Sequence, residues 1–171
     1  DALLCASSCP DELTIRRPCL VSASWGGLGK EVKKGGGHAG GGGVIMRGSH
    51  CWKHWSKTQQ NITLSSAESE LVALVKGSCE GIGMCSLMED LNGRNRGVVE
   101  MYTDAAAAIG ITQREGVGRT RHIDVWMLWI QQRQKTGALG IHKVDTKWNP
   151  ADVLTKHVPS EVMDRHLGIA G

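Results

Sequence analysis

Apolar residues recur at helical spacing after Ser66, and this pattern is the strongest structural signal in the chain. At about 100° per residue, one face of the helix beginning there collects Leu71, Val72, Val75, Cys79 and Ile82. Glu68 lies at the centre of that face, whereas Glu70 falls on the opposite side and is predicted to point to solvent. An acid facing a core is costly unless it is paired or bound to metal, so Glu68 is predicted to have a partner.

The start of this helix also offers Glu68 a purely structural role. Ser65 or Ser66 can serve as the N-cap, because its hydroxyl can accept from the free N–H groups two or three residues on. Ser65 and Glu68 together fit the S-x-x-E capping box. The helix is predicted to run to about Asp90, and the sequence leaves both roles of Glu68 open.

Short apolar runs bounded by turn residues predict three strands before this helix and two after it. The predicted strands are Cys19–Trp25, Val44–Arg47, Cys51–Lys57, Val98–Thr103 and Leu139–Val144. The short connections between the first three indicate an antiparallel meander. The glycine-rich stretch 35–43 is predicted to be a flexible hairpin turn, because it lacks the Gly-Lys-Ser/Thr ending of a phosphate-binding loop.

The remaining segments predict further helices between and after the last two strands. A short helix begins at Ala105, an amphipathic helix covers about Ile123–Lys135, and a last helix begins near Pro150. In the amphipathic helix, the spacing of Trp126, Trp129 and Ile130 favours core packing over base stacking. The order β-β-β-α-β-α-α-β-α predicts an α/β fold, a mixed sheet with helices on its faces.

Length and composition are those of one globular domain. The chain has 171 residues, 40% hydrophobic and 22% charged, and a net charge of +3 permits a polyanionic partner without demanding one. No apolar run approaches the ~18 residues of a membrane span, and no signal peptide is evident. We therefore expect an intracellular protein of the cytoplasm or nucleus, with no membrane partner. The start at Asp1 instead of Met suggests a fragment or a processed piece.

The six cysteines form no C-x-x-C pair, and they are predicted to be buried, reduced thiols. Cys51 with His50 and His54 could suggest a metal, but no second ligand pair follows at zinc-finger spacing.

Three acids stand in comparable places along the predicted elements. Glu68 and Asp152 lie in the first turns of helices, and Asp104 follows a strand. Acids that converge from separate elements can hold divalent metal through oxygen ligands, as in two-metal phosphodiester chemistry. Asp104 and Asp152 could equally cap helices, and the sequence does not decide between the two roles.

Five motifs follow one another in a characteristic order. They are Trp52-Lys53 with Lys57-Thr58-Gln59, Thr63-Leu64-Ser65-Ser66-Ala67-Glu68-Ser69-Glu70, Tyr102-Thr103-Asp104, Arg121-His122-Ile123-Asp124 and Asn149-Pro150-Ala151-Asp152-Val153-Leu154-Thr155-Lys156. Together they resemble the ribonuclease H domain of copia-type retrotransposons, which encode retrovirus-related Pol polyproteins. The resemblance covers the domain at 19–158, which leaves 1–18 as a tail or linker and 159–171 as a C-terminal tail.

The resemblance implies a ribonuclease H-like fold, a five-stranded sheet with three antiparallel and then two parallel strands. It implies a metal-dependent nuclease, beside the reverse transcriptase portion of a polyprotein, that hydrolyses the RNA strand of RNA–DNA hybrids. Four acids would hold two Mg²⁺ ions, or Mn²⁺ in their place, and Glu68, Asp104 and Asp152 match three of the four.

The fourth acid is missing from this chain. Where the family carries an Asp that bridges both metals, the first strand has Ser22, and no acid occurs between Cys19 and Lys30. A neutral hydroxyl supplies no charge and bridges two hard cations poorly. The glycine run also replaces the usual next turn, so the chain resembles a degenerate copy whose nuclease activity is impaired or absent.

Substrate contacts would come from basic groups around the acids, each of which could also be an ordinary solvated side chain. The candidates are Lys53, Lys57, Arg119, Arg121, His122, Lys147 and Lys156. A hybrid is recognised by shape, 2′-hydroxyls and phosphates, so little sequence preference is expected.

Two alternatives to an impaired ribonuclease H remain at this point. The same fold could hydrolyse hybrids normally if an acid outside the motifs, such as Asp11 or Glu31, reached the cleft. The domain could instead be a non-catalytic nucleic-acid-binding or structural remnant of a retroelement polyprotein. Salt-dependent binding to a hybrid without cleavage would favour the remnant.

Overall fold

The computed structural model describes residues 19–26, 40–60, 63–92, 98–116, 125–155 and 157–170. Its sheet has the strand order β3-β2-β1-β4-β5. The strands are β1 Cys19–Gly26, β2 Gly40–Arg47, β3 His50–Thr58, β4 Val99–Thr103 and β5 Leu139–Lys143. Pairing is antiparallel from β1 to β2 and from β2 to β3, and parallel from β1 to β4 and from β4 to β5. This confirms the predicted α/β class and the mixed five-stranded sheet.

Four α-helices and three short 3-10 helices complete the described part of the chain. The α-helices are α1 Ser66–Asn92, α2 Ala106–Thr112, α3 Trp129–Lys135 and α4 Ser160–Ala170. The 3-10 helices are Val125–Leu128, Thr146–Trp148 and Pro150–Leu154. The predicted amphipathic helix is therefore part 3-10 and part α, and the segment after Asn149 is a 3-10 helix.

Helix α4 occupies a segment that the sequence analysis treated as a C-terminal tail. It covers Ser160–Ala170 and packs against the Pro150–Leu154 3-10 helix. Val162, Met163, His166 and Leu167 lie three and four residues apart, as on one face of a helix, and His166, 2% exposed, is the most enclosed side chain of α4. The prediction of a tail was based on the motifs that carry the resemblance, which end before this segment.

Helix α1 packs on β1, β2 and β4 and supplies the centre of the core. Leu71 and Leu74 are fully buried, and the close approach to the sheet depends on two helix glycines. A Cβ added to Gly77 would lie 2.8 Å from Met101 Cε, and one added to Gly81 would lie 2.7 Å from a methyl group of Val99. By length and composition alone, α1 could also cross a membrane, but buried core helices of globular proteins meet the same test.

The helical phase of α1 differs slightly from the predicted one. Ser78 is fully buried and donates to Leu74 O, whereas Cys79 is exposed. Glu70 is half-buried, so the prediction that it points to solvent is wrong. Cys51 and Cys85 are only half-buried, so the prediction of buried thiols fails for the three cysteines whose side chains are described. These three are free thiols, as expected.

The second half of the glycine run is strand, which corrects its prediction as a flexible turn. Gly40–Gly43 begin β2 and pair with Ala23–Gly26 of β1. A Cβ on Gly43 would collide with the Trp55 ring, and one on Gly42 would lie 2.7 Å from Thr155 Cγ2. These two glycines therefore provide a flat surface on which an indole and the Pro150–Leu154 3-10 helix lie. Residues 35–39 are outside the described ranges.

Candidate active site

Glu68 closes the start of its own helix. Its backbone N–H donates to Ser65 Oγ at 3.2 Å, and its Oε2 accepts from the N–H of Leu64 at 2.7 Å. The reciprocal contact is a capping box displaced by one residue, because the acid bonds the residue before Ser65. Glu68 is also 5% exposed, as expected for an acid on the core-facing side. The capping role is thus realised, and one carboxylate oxygen is engaged by it.

A network of buried polar side chains positions the N-terminus of α1, and the sequence patterns did not predict this network. Gln59 Nε2 donates to Ser69 O at 2.7 Å, and Thr63 and Ser69 share a hydrogen bond between their hydroxyls. Gln59, Thr63 and Ser69 are each less than 9% exposed. Their signal in the sequence is a run of uncharged polar residues between a strand and an apolar helix, where buried polar groups must find partners.

Asp104 follows β4 and does not cap the next helix. The N-cap of α2 is Ala105, which has no side-chain capping bond, and its N–H donates to Thr103 Oγ1 at 3.2 Å. Asp104 is half-buried, and its Oδ2 accepts from Thr146 Oγ1 at 3.0 Å. The capping alternative is therefore excluded for Asp104, and Thr146 emerges as a contact that the sequence did not indicate.

Asp152 is carried by the Pro150–Leu154 3-10 helix, whose cap is another residue. Asn149 is fully buried, and its Oδ1 accepts from the N–H of Ala151 at 3.2 Å. Ser56 Oγ on β3 donates to Leu154 O at 2.6 Å, and the 3-10 helix packs on β1 and β2. Asp152 is 4% exposed, and these contacts place it firmly against the sheet.

His166 on α4 interacts electrostatically with the carboxylate of Asp152. Burial lowers the pKa of His166, the Asp152 carboxylate opposes this shift, and Arg165 adds to it. Because burial is the largest of the three influences, the imidazole is neutral near pH 7. A neutral histidine beside Asp152 adds no positive charge to the site.

The sheet order brings some of the candidate positions to the same place. Ser22 of β1 pairs with Tyr102 of β4, so Asp104 follows two residues beyond the level of Ser22. The 3-10 helix that bears Asp152 packs on β1 and on β2, the strand on the other side of β1 from β4. Only the backbone of Ser22 is described. That all four positions line one cleft, with Glu68 among them, stays a prediction.

The part of the chain that the structure describes contains no group of three or more His, Cys, Asp and Glu side chains placed to hold a metal ion. This applies to His50, Cys51 and His54 on β3 and equally to Glu68, Asp104 and Asp152.

The predicted nucleic-acid contacts are described in part. Lys53 Nζ lies 2.6 Å from Glu80 Oε2 in an exposed ion pair, which occupies the ammonium group. Lys57 and Lys147 are exposed. The other candidates lie outside the described residues: Arg119, Arg121, His122 and Lys156.

Solved structures similar to this chain support the fold. The N-terminal RNase H domain of Rv2228c from Mycobacterium tuberculosis matches with a TM-score of 0.52 and 17% identity, covering 91% of this chain and 99% of that one. LC11-RNase H1 in complex with an RNA/DNA hybrid matches with a TM-score of 0.54 and 17% identity, covering 87% and 99%. The Prototype Foamy Virus protease-reverse transcriptase matches with a TM-score of 0.53 and 13% identity, covering 96% and 21%.

Sequence relatives identify the family, which the solved structures, at 13% to 17% sequence identity, do not. No protein-family model matches the chain. A retrovirus-related Pol polyprotein from transposon TNT 1-94 of Nicotiana tabacum is 34% identical over 113 residues, 66% of this chain and 8% of the relative. The Pol polyprotein from transposon RE1 of Arabidopsis thaliana is 29% identical over 114 residues, with the same two coverages. The chain thus spans a small part of these relatives, and it belongs to the copia-type retrotransposon Pol polyproteins as a ribonuclease H domain.

Proposed function

We propose that this domain binds RNA–DNA hybrids and hydrolyses their RNA strand by metal-dependent catalysis, with activity impaired by Ser22. The observation that carries the proposal is the placement of Asp104. It follows β4 two residues beyond the level of Ser22, does not cap α2, and is oriented by the Thr146 hydroxyl. A carboxylate held by a side chain, with no role in capping a helix, suits a metal ligand or a catalytic group.

The donor set fits a single, loosely held Mg²⁺ ion better than a pair. Asp104 and Asp152 supply the carboxylate oxygens that Mg²⁺ prefers, whereas Glu68 already accepts a backbone N–H and Ser22 brings no charge. When bound, the metal would supply Lewis-acid stabilisation of the phosphate, and Mn²⁺ could take its place. The residues of this chain would position it: Thr146 orients Asp104, and Asn149 with Ser56 holds the helix of Asp152.

The proposed partner, ligand and cellular location are based on the relatives of the chain. We propose that the reverse transcriptase portion of a Pol polyprotein is its partner, since one structural relative is a protease-reverse transcriptase. The hybrid as ligand is supported by the relative solved with an RNA/DNA hybrid. An intracellular location, in cytoplasm or nucleus, is part of the same proposal.

One substitution tests the proposal. Ser22→Asp would add a carboxylate to help Asp104 and Asp152 hold the metal, and we expect hybrid cleavage to rise at least tenfold, or about 1.4 kcal/mol of barrier. The control combines Ser22→Asp with Asp104→Asn, which removes another acid while keeping its size. Cleavage is measured with Mg²⁺ and with Mn²⁺ on the wild type and both variants. A folded single variant that cuts no faster than the double variant would contradict the proposal.

The second candidate function is a non-catalytic, nucleic-acid-binding remnant. The observation in its favour is that Glu68 closes its own helix start, so this acid has a structural reason to be present. In that case the domain binds a hybrid in a salt-dependent way, and neither metal nor Ser22→Asp produces cleavage.

A further inference from the structure

A short connector, Asp145–Asn149, joins β5 to the helix of Asp152 and touches the surroundings of two candidate acids. At its near end, Thr146 Oγ1 donates to Asp104 Oδ2 at 3.0 Å. At its far end, Asn149 caps the 3-10 helix that bears Asp152. The connector is otherwise exposed from Asp145 to Trp148.

The connector presents an aromatic ring to solvent. Trp148 is 43% exposed, although a buried indole contributes far more to stability than an exposed one. Arg165 of α4 lies over this ring, with Cζ 5.9 Å from the ring centroid. The pair therefore joins α4 to the connector and forms a surface with one flat apolar face and one cation.

The guanidinium of Arg165 has donors to spare. Among the described residues it makes no salt bridge and no hydrogen bond, although Glu161 lies one turn earlier on α4 and Asp164 is adjacent in sequence. Lys147, next to Trp148, is exposed, and the carboxylate of Asp145 accepts the N–H of Lys147 at 2.9 Å. Lys147 and Arg165 lie among Asp145, Glu161 and Asp164, so this surface carries no excess of positive charge; what suits an anionic partner is that no described acid forms an ion pair with either cation.

We propose that Trp148 and Arg165 form a binding subsite for one strand of the nucleic acid beside the candidate acids. The Trp148 face packs on a sugar or base, and Arg165 pairs with a backbone phosphate, as in sites that combine stacking with charge. The hybrid as ligand rests on the proposed function. The subsite itself depends only on Trp148, Arg165 and the connector.

The chain contains matched controls for this arrangement. Arg133 lies 5.2 Å from the centroid of Trp129 on α3, and Arg47 lies 5.0 Å from that of Trp52 on β3. Both pairs have the same chemistry as Arg165 and Trp148. Neither pair includes a residue of the connector, and Trp129 packs against the core. A loss specific to Arg165 would therefore reflect its position and not the removal of an arginine.

The test is binding of a fluorescent RNA–DNA hybrid to the full chain in EDTA, followed by anisotropy over a range of salt concentrations. We expect Arg165→Gln to weaken binding about five-fold or more and to reduce the salt slope by about one. Arg165→Lys should keep the slope, because the charge remains. Trp148→Ala should weaken binding without changing the slope, and Arg133→Gln should stay within about two-fold of the wild type.

Each outcome decides something different. If Arg165→Gln and Arg133→Gln weaken binding equally, the subsite is overturned while hybrid binding stands. If the wild type binds the hybrid but never cuts it, hydrolysis fails while the subsite stands. If the folded wild type binds no hybrid at all, both proposals are overturned. Circular dichroism on every variant shows that each loss occurs in a folded chain.

Discussion

The start of α1 and the segment from the connector to Leu154 carry their acids in different ways. At the start of α1, the Glu68 carboxylate accepts the N–H of Leu64 and so forms part of the helix cap. In the second segment, Asn149 does the capping and Thr146 orients Asp104. In one region, folding and the proposed chemistry use the same carboxylate. In the other region, capping and the proposed chemistry use different side chains, so a candidate acid can be substituted without removing a helix cap.

The largest expected effect concerns how the second segment docks on β2. Gly42→Ala places a Cβ 2.7 Å from Thr155 Cγ2 and 2.9 Å from Leu154 Cβ, so the helix of Asp152 must shift. Overpacking of this kind costs about 2 kcal/mol, which urea denaturation would measure. Gly110→Ala on α2 is the control, because nothing lies within 4 Å of its Cβ position and a helical alanine is favoured. Equal stability of the two variants would show that the docking surface tolerates a side chain.

The next effect separates the two regions directly. Glu68→Ala should lower the free energy of unfolding by about 1 kcal/mol, because the Leu64 N–H loses its acceptor. Glu68→Gln should keep most of that stability, since glutamine also serves in a capping box. Asp104→Asn should change stability by no more than about 0.5 kcal/mol. A loss for Asp104→Asn as large as that for Glu68→Ala would remove the distinction.

The smallest expected effect is a pH dependence of the second region. Burial lowers the pKa of His166 in the folded chain below its value of about 6.5 in the unfolded chain. At a pH above about 6.5 the imidazole is neutral in both the folded and the unfolded chain, so its burial does not reduce the free energy of unfolding. As the pH falls below that value, the unfolded chain takes up a proton that the folded chain resists, and stability is lost. Thermal unfolding of wild type and His166→Gln at pH 7.5 and 5.5, in EDTA, should show a smaller acid loss in the variant. His157→Gln, which changes an exposed histidine, should behave like the wild type.

Much of the fold follows from local patterns in the chain. The five strands and helix α1 were predictable because short apolar runs and helical spacing mark such elements, whereas the arrangement of three antiparallel and then two parallel strands was implied by the resemblance. Errors arose where tertiary packing shifts the phase, as at Cys79 and Ser78, or where glycines carry no hydrophobic signal, as at Gly42 and Gly43. Helix α4 was missed although Val162, Met163 and Leu167 have helical spacing, because the motifs of the resemblance end before it.

By itself, the sequence determined which acids are present, the absence of one at Ser22, and the order of the elements that carry them. The S-x-x-E spacing also offered the cap that Glu68 forms, because Glu68 and Leu64 are only four residues apart. Only the tertiary structure decided the role of Asp104, whose carboxylate is oriented by the hydroxyl of Thr146, 42 residues further along the chain. Hydrogen bonds extend only about 3 Å, so a contact between residues this far apart in the chain is set by packing and not by spacing along the sequence.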